Sequence, residues 1–378
     1  MQINESEDRE EELESLIEHL KNLKDDRDDY RLDHKLIEVL FVVICAQLNG
    51  FETFKEYVLY AKEKMDFLKK FFEYKHGHPS RSTIYRVLAL IDPKKLECVL
   101  ETWMKQCIKP NEQQVIAIDG KAHRGNQAEE SIHLVGAFAT SNGLLVGQER
   151  VSDKSNEITA IPELIDRLSI KNQIITIDAM GCQKNIAAQI AKKGADYILA
   201  LKANHKNLHD DIALYFNDPC SGDNISFSET LEKSRGRVEH RKCFATQNTD
   251  WLEDKAQWKN LKTIVKMESN VHKKGKETKE VRYFLTSLIA DSELILKSVR
   301  SHWFIENNLH WLLDVVFKED NRVLWNKNVI QNEAMIRRFA LNLIRKYKTK
   351  FNDNRAIKSL RKILMNNNAI MENILHEF

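Results

Sequence analysis

Two short segments of this 378-residue chain end alike: Val115-Ile-Ala-Ile-Asp119-Gly and Ile174-Ile-Thr-Ile-Asp178-Ala-Met-Gly. Each is an apolar, β-type run stopped by an aspartate and followed by a small residue. Runs that are apolar on both faces belong at the centre of an α/β sheet. If the two strands are neighbours, their aspartates stand side by side, which is costly unless a cation lies between them. Carboxylates paired around Mg²⁺, with Mn²⁺ as a substitute, are the machinery of phosphodiester chemistry. Glu306 is the candidate third acid. Val299, Trp303, His310 and Leu313 lie three, four or seven residues from it, on one stripe of a regular helix. That stripe is mainly apolar and is expected to face the sheet, where a carboxylate needs a partner. A metal held by Asp119 and Asp178 would supply one. The plainer alternatives are a buried salt bridge or a position at the stripe's edge. Asp314, Glu319 and Asp320 are rivals for the third place. For Trp303 and Trp311 core packing is expected ahead of stacking on a base.

The elements that must position these acids can be read along the chain. Residues 1–30 read as an acidic arm and residues 31–110 as a helical domain, a candidate for DNA binding. His34 to Leu48 is an apolar helix closed by Asn49-Gly50, a C-terminal stop signal. Thr83 to Ile91, behind the break His78-Pro79-Ser80-Arg81, resembles the reading helix of a helix-turn-helix. Residues 111–218 follow the order β-β-β-α-β-α-β, with an Asn142-Gly143 hairpin turn and a Ser155-Asn156-Glu157 helix cap. This is an α/β fold, a mixed sheet with helices in the order of an RNase H-like core, whose first and fourth strands are adjacent. Residues 219–290 read as a β-rich insertion before the last catalytic helix. From Lys233 to Arg282 it carries fourteen Lys/Arg against seven Asp/Glu, a basic face suited to phosphates. Residues 291–350 close the core with two helices, the second bearing Arg337, Arg338, Arg345, Lys346 and Lys348. Residues 351–378 are a helical tail.

Composition narrows the setting. The chain is 42% hydrophobic and 30% charged with a net charge of +2, as in soluble globular proteins. The charge is uneven. Residues 1–30 hold twelve acids and four bases, leaving the remainder near +10; a basic body under an acidic head suits a polyanion partner. The six cysteines are scattered, with no C-x-x-C pair, which fits a reducing compartment and argues against zinc. The first thirty residues are too acidic for a signal peptide. The longest apolar run, Leu36 to Leu48, contains Glu38 and is too short to span a bilayer. A cytoplasmic protein with no membrane contact is the expectation.

Six blocks in order carry a family resemblance: Ala117-Ile-Asp-Gly-Lys-Ala-His-Arg-Gly125, Lys154-Ser-Asn-Glu-Ile158, Ile177-Asp-Ala-Met-Gly-Cys-Gln183, Asp196-Tyr-Ile-Leu-Ala-Leu-Lys202, His302-Trp-Phe-Ile-Glu-Asn-Asn-Leu-His-Trp311, and Leu313-Asp-Val-Val-Phe-Lys-Glu-Asp320 with Arg338-Phe-Ala-Leu-Asn-Leu-Ile344. From about residue 30 to 348 the chain resembles the DDE transposases of bacterial insertion sequences, in the H-repeat-associated group. The resemblance implies that Asp119, Asp178 and Glu306 are the catalytic and metal-binding triad. The implied reaction is Mg²⁺-dependent cleavage at element ends, then strand transfer into target DNA. Its partner is double-stranded DNA, as terminal inverted repeats and as target, handled by a dimer or larger assembly. Lys121, Arg124, Lys202, Arg237, Arg241 and His302 are the expected DNA contacts. The wider superfamily places Tyr, Arg and Lys around the glutamate where this chain has Val299, His302 and Leu313. Two alternatives share these features: an inactive DNA-binding remnant or regulator, and an RNase H-like nuclease without strand transfer.

Overall fold

In the computed structural model the described residues are 20–21, 23–25, 27, 32–105, 113–122, 133–151, 156–218, 224–234, 236–321 and 324–375. Most of the acidic arm, Arg124 and Lys154 fall outside them. One nine-stranded mixed sheet organises the chain, in the order β3-β2-β1-β4-β5-β9-β8-β7-β6. Its strands are β1 (Val115–Ala122), β2 (His133–Ala139), β3 (Leu144–Arg150), β4 (Ile174–Ile177), β5 (Asp196–Leu201), β6 (Ser226–Ser234), β7 (Arg237–Thr246), β8 (Thr263–Lys273) and β9 (Lys276–Thr286). The parallel centre, β1-β4-β5, is flanked by the β1-β2-β3 meander on one side and the antiparallel β9-β8-β7-β6 meander on the other. The basic β-rich stretch is therefore an extension of the core sheet, joined to it through β5 and β9. Sequence reading found three of its strands and missed β6. That strand alternates half-buried and exposed positions with few apolar residues, so it gives a weak period-two signal.

Alternation along β1 and β4 divides the core. Ile116, Ile118, Ile175 and Ile177 pack on one face under the helices Glu157–Arg167, Lys184–Lys192 and Lys206–Asn217. Ala117 points to the other face, into a larger cluster built from the helices of residues 36–105 and the long helix Lys327–Lys350. The helix Ser292–His302 packs on that second face, with Ile295, Leu296 and Val299 against Ile174, Ile198 and Val265. Asp291 caps it, its carboxylate accepting from the Leu294 amide at 3.0 Å.

One sequence expectation changes at the closing helices. The run from Ser292 to Val316 is not one regular helix: after Trp303 it continues as two π-helical segments, Ile305–His310 and Leu312–Val316. The Trp311 amide donates to the Glu306 carbonyl and the Phe317 amide to that of Leu312, each five residues back. The buried residues then step by four, Ile305, Leu309, Leu313 and Phe317, as the wider turn requires. The stripe drawn at regular helical spacing does not survive this change. Val299 and Leu313 are buried, but Glu306, Trp303 and Trp311 are exposed, so neither tryptophan packs in the core.

The basic helix Lys327–Lys350 carries its three arginines, Arg337, Arg338 and Arg345, inside. Arg337 pairs with Glu333 at 3.3 Å, Arg338 pairs with Glu319 at 2.5 Å, and Arg345 donates to the carbonyls of Gly143 and Asn308. A guanidinium enters a core when its N–H groups meet such acceptors.

Arg361 gives the clearest stability prediction. It donates to the Gln47 carbonyl at 2.6 Å, the Glu52 carboxylate at 2.8 Å and the Val316 carbonyl, and lies 3.9 Å from the centre of the Phe317 ring. Arg361→Ala strands these acceptors inside, where removing one partner of a buried ion pair costs about 3–5 kcal/mol. A drop of that size in unfolding free energy is expected by urea titration.

Candidate active site

The last pairs of the parallel β1-β4 ladder are Ala117↔Thr176 and Ile118↔Ile177. The next residues on the two strands are Asp119 and Asp178, so the aspartates stand side by side, at the roughly 4.8 Å separation of neighbouring strands. The two chains leave this point differently. β4 ends, and the Asp178 carboxylate accepts from the Met180 amide at 3.0 Å and the Gly181 amide at 3.4 Å. β1 instead continues to Ala122, because β2 goes on pairing with it, Asp119 opposite Gly136 and Lys121 opposite Leu134. Asp119 therefore lies within its strand rather than at its end.

Both carboxyls are pushed up. Burial is the largest cause for Asp119, followed by the Asp178 charge, with Glu157 and Glu306 adding to it; together they raise it to about 7. Burial also raises Asp178, with Glu157 adding, against the Gly181 and Met180 hydrogen bonds and the Lys202 charge. Buried carboxyls set side by side repel one another and hold their protons more tightly.

A cleft of about 190 Å³ opens over the pair, lined among others by Thr176, Lys202, Arg282, His302, Trp303 and Glu306. The structure thus brings Glu306 to the same cleft as the two aspartates. It is exposed, not sunk in the sheet's core. Its three rivals are gathered elsewhere. The Lys121 ammonium binds Asp314, lies 2.8 Å from Glu319 and 3.9 Å from Asp320. Among the described residues no three acid, histidine or cysteine side chains stand close enough together to hold an ion as they are. The donor chemistry nonetheless suits a hard divalent cation, since the facing groups are carboxylate oxygens and no thiol is among them.

The expected DNA contacts fall into three groups. Lys202 is exposed at the end of β5, at the cleft, with its charge acting on Asp178. Arg237 and Arg241 line a second, adjoining groove of about 490 Å³ that reaches Glu306. Both are engaged by Glu239, at 2.8 and 2.5 Å. Lys121 and His302 are turned inward. The His302 Nδ1 is 2.9 Å from the Thr176 hydroxyl, and burial brings the imidazole down to about 4, so at neutral pH it carries no charge to a phosphate. Lys121, two residues after Asp119, is paired with Asp314 and Glu319 and so ties β1 to the segment that follows Glu306. Lys121→Ala is expected to slow any DNA cleavage about a hundredfold through misplacement of Glu306, with DNA affinity nearly unchanged. A gel-shift titration beside a cleavage time course separates the two effects.

Sequence reasoning missed Arg282 and Arg300. Arg282 lies over the Trp303 ring, 4.8 Å from its centre, pairs with Glu280 at 2.7 Å and lines both clefts. Arg300, paired with Glu232, lines the second groove. The alternation of β9 could have flagged Arg282; only the folded sheet puts it beside Glu306.

Comparison with known proteins agrees with this architecture. Residues 110–343 match the family described as Transposase DDE domain, and residues 17–104 match a DDE_Tnp_1-associated domain. The chain belongs to the DDE transposase family, in its H-repeat-associated group. It is 36% identical over 375 residues to YncI of Escherichia coli O157:H7, a transposase by name, covering 96% of this chain and 95% of that one. YhhI of Escherichia coli K12, named as an H repeat-associated transposase, is 37% identical over 347 residues, 88% of this chain and 91% of its own. YbfQ of the same strain, whose name calls it inactive, is 33% identical over 78 residues, 21% of this chain and 93% of its own. Among the described residues no helix is long and apolar enough to cross a membrane.

Proposed function

We propose that this chain is a Mg²⁺-dependent DNA transposase that cleaves DNA at element ends and joins the freed 3′-OH to target DNA. The observation that carries the reading is the registered pair, Asp119 beside Asp178 on adjacent parallel strands, with Glu306 at the same cleft. Asp119, Asp178 and Glu306 would hold the divalent cations. When bound, such cations supply Lewis acidity at the phosphoryl oxygens and a hydroxide nucleophile near neutral pH. The sheet order β3-β2-β1-β4-β5, with acids on β1, after β4 and on a closing helix, supports an RNase H-like core.

The chain's own cations receive the substrate. Lys202 stands beside Asp178, where it binds the phosphate next to the scissile bond. Arg237, Arg241, Arg282 and Arg300 follow the DNA backbone along the groove toward Glu306, exchanging their carboxylate partners for phosphates. In the helical region, Arg81–Leu90 buries Ile84, Val87 and Leu88 and leaves Arg81, Ser82, Tyr85 and Arg86 exposed. That face is the reading's candidate for base contacts. Two DNA ends joined in one event call for at least a dimer at work, in a cytoplasmic setting.

Duplex DNA carrying the inverted repeats that border the gene tests this. The expected result with Mg²⁺ or Mn²⁺ is a nick releasing a 3′-OH at the repeat's end, followed by joined products when target plasmid is added. Cleavage without joining would leave a nuclease. Binding with neither would leave an inactive DNA-binding relative.

A further inference from the structure

The two edges of the nine-stranded sheet differ. At the β3 edge the outer backbone is occupied. The Leu145 amide donates to the Asn342 side chain at 3.0 Å, the Asn342 side-chain amide donates to the Leu145 carbonyl at 2.7 Å, and Arg167 donates to the Gln148 carbonyl at 2.5 Å. At the other edge stands β6, nine residues long and paired with β7 in unbroken register from Ser226↔Ala245 to Ser234↔Arg237. Among the described residues no other element hydrogen-bonds to its outer backbone. Proteins commonly shorten such an edge, bend it with a bulge or interrupt it with proline. β6 has none of these.

Its side chains divide by alternation. Ser226 and Glu232 face the helix Ser292–His302, through Ser292 and Arg300. Ser228 and Thr230 lie between them on that inner face, their hydroxyls buried and without a partner among the described residues. Buried hydroxyls of that kind call for an acceptor or donor. The other face presents Phe227, Glu229, Leu231 and Lys233, all exposed, Leu231 at 72%. The strand is self-complementary about Leu231. Laid antiparallel on a copy of itself with Leu231 opposite Leu231, it sets Glu229 opposite Lys233 at two symmetric places. On the inner face Thr230 then meets Glu232, and Ser228 meets Ser234. Centring the pair on Glu229 or on Lys233 would oppose like charges. Centring it on Thr230 would oppose Glu229 to Leu231 and Phe227 to Lys233.

We infer that two copies of this chain pair through their β6 edges, antiparallel and centred on Leu231, so that the two sheets become one. The two-fold axis is normal to the sheet at that point. Both inner faces, with the grooves that Arg237 and Arg241 line, then fall on one side of the joined sheet. The inference stands on the strand and not on the proposed reaction, and its test uses neither DNA nor metal. An edge pairing of this length is a small interface, so a dissociation constant on the order of 10 µM is expected. Sedimentation velocity of the full chain, over a concentration series that brackets this value, should show a monomer–dimer equilibrium. Glu229→Lys and Lys233→Glu should each weaken it about tenfold by opposing like charges across the axis. The two substitutions together should restore it. Restoration separates this contact from the Glu229–His240 pair at 2.8 Å, which the double variant still lacks. Leu231→Cys should form a disulfide across the axis under mild oxidation. Mass spectrometry assigns the link to the introduced thiols, since Cys98 is also exposed. A wild type that stays monomeric throughout the series, or a dimer whose affinity neither charge reversal alters, would overturn the inference.

Discussion

Asp178→Asn is expected to fold like the native chain and to lose DNA cleavage by about a thousandfold or more. The size follows from the proposed role: a ligand of a catalytic cation would carry several kcal/mol of transition-state charge stabilisation, and each 1.36 kcal/mol is tenfold in rate. The fold is expected to persist because asparagine keeps an oxygen where the Met180 and Gly181 amides donate. It also removes a carboxyl that burial already pushes up, so the variant's metal-free stability should rise rather than fall. Cleavage of labelled end DNA, read beside a melting curve, checks both halves. Unchanged cleavage would sink the carboxylate mechanism. A lower melting midpoint would mean that Asp178 is structural.

The second large effect is on stability against pH. Asp119 titrates at about 7 in the folded chain against 3.8 when unperturbed. Between those values the folded state keeps a proton that the unfolded state has released. Stability therefore falls as pH rises from about 4 through about 7 and is fully present only below the lower value. The full shift corresponds to a loss on the order of 4 kcal/mol. Glu97 acts in the same window and with the same sign. It too is raised to about 7, by burial first, despite Arg167 at 3.1 Å, with Glu101 and Glu149 adding. The expected result is a melting midpoint that drops between pH 5 and pH 8 in metal-free protein. Asp119→Asn and Glu97→Gln should each flatten part of the drop. Mg²⁺ should restore stability at pH 8 and do little at pH 5, because it binds the deprotonated carboxylates. A profile that stays flat, or rises with pH, would contradict the raised carboxyl at Asp119.

Much of the candidate site's geometry was legible because its key pair is local in form. Each aspartate sits at the end of a short apolar run, and strand order makes the runs neighbours; the observed ladder sets them in register. Glu306 was legible by type and rough place, but not in its setting. A periodicity argument assumes one helical pitch, and the change to π-helix after Trp303 rotates Glu306, Trp303 and Trp311 outward. The setting of the arginines of Lys327–Lys350 was not legible either. Charge on a helix reads as surface until the partners are known: Glu333 is one turn away on the same helix, but Glu319 and the carbonyls of Gly143 and Asn308 come from elsewhere in the chain.

By itself the sequence determined the sheet's central strands, the helical entry region, the two aspartates and the family, since all of these rest on local patterns or ordered blocks. Tertiary structure alone decided the rest. It tied Lys121 to Asp314 and Glu319. It turned His302 to Thr176, set Arg282 beside Glu306, and lowered Glu157 onto Gly120. The physical reason is common to all four. Each side chain's role depends on which opposite charge or empty volume the fold brings to it, and those partners lie tens to hundreds of residues away.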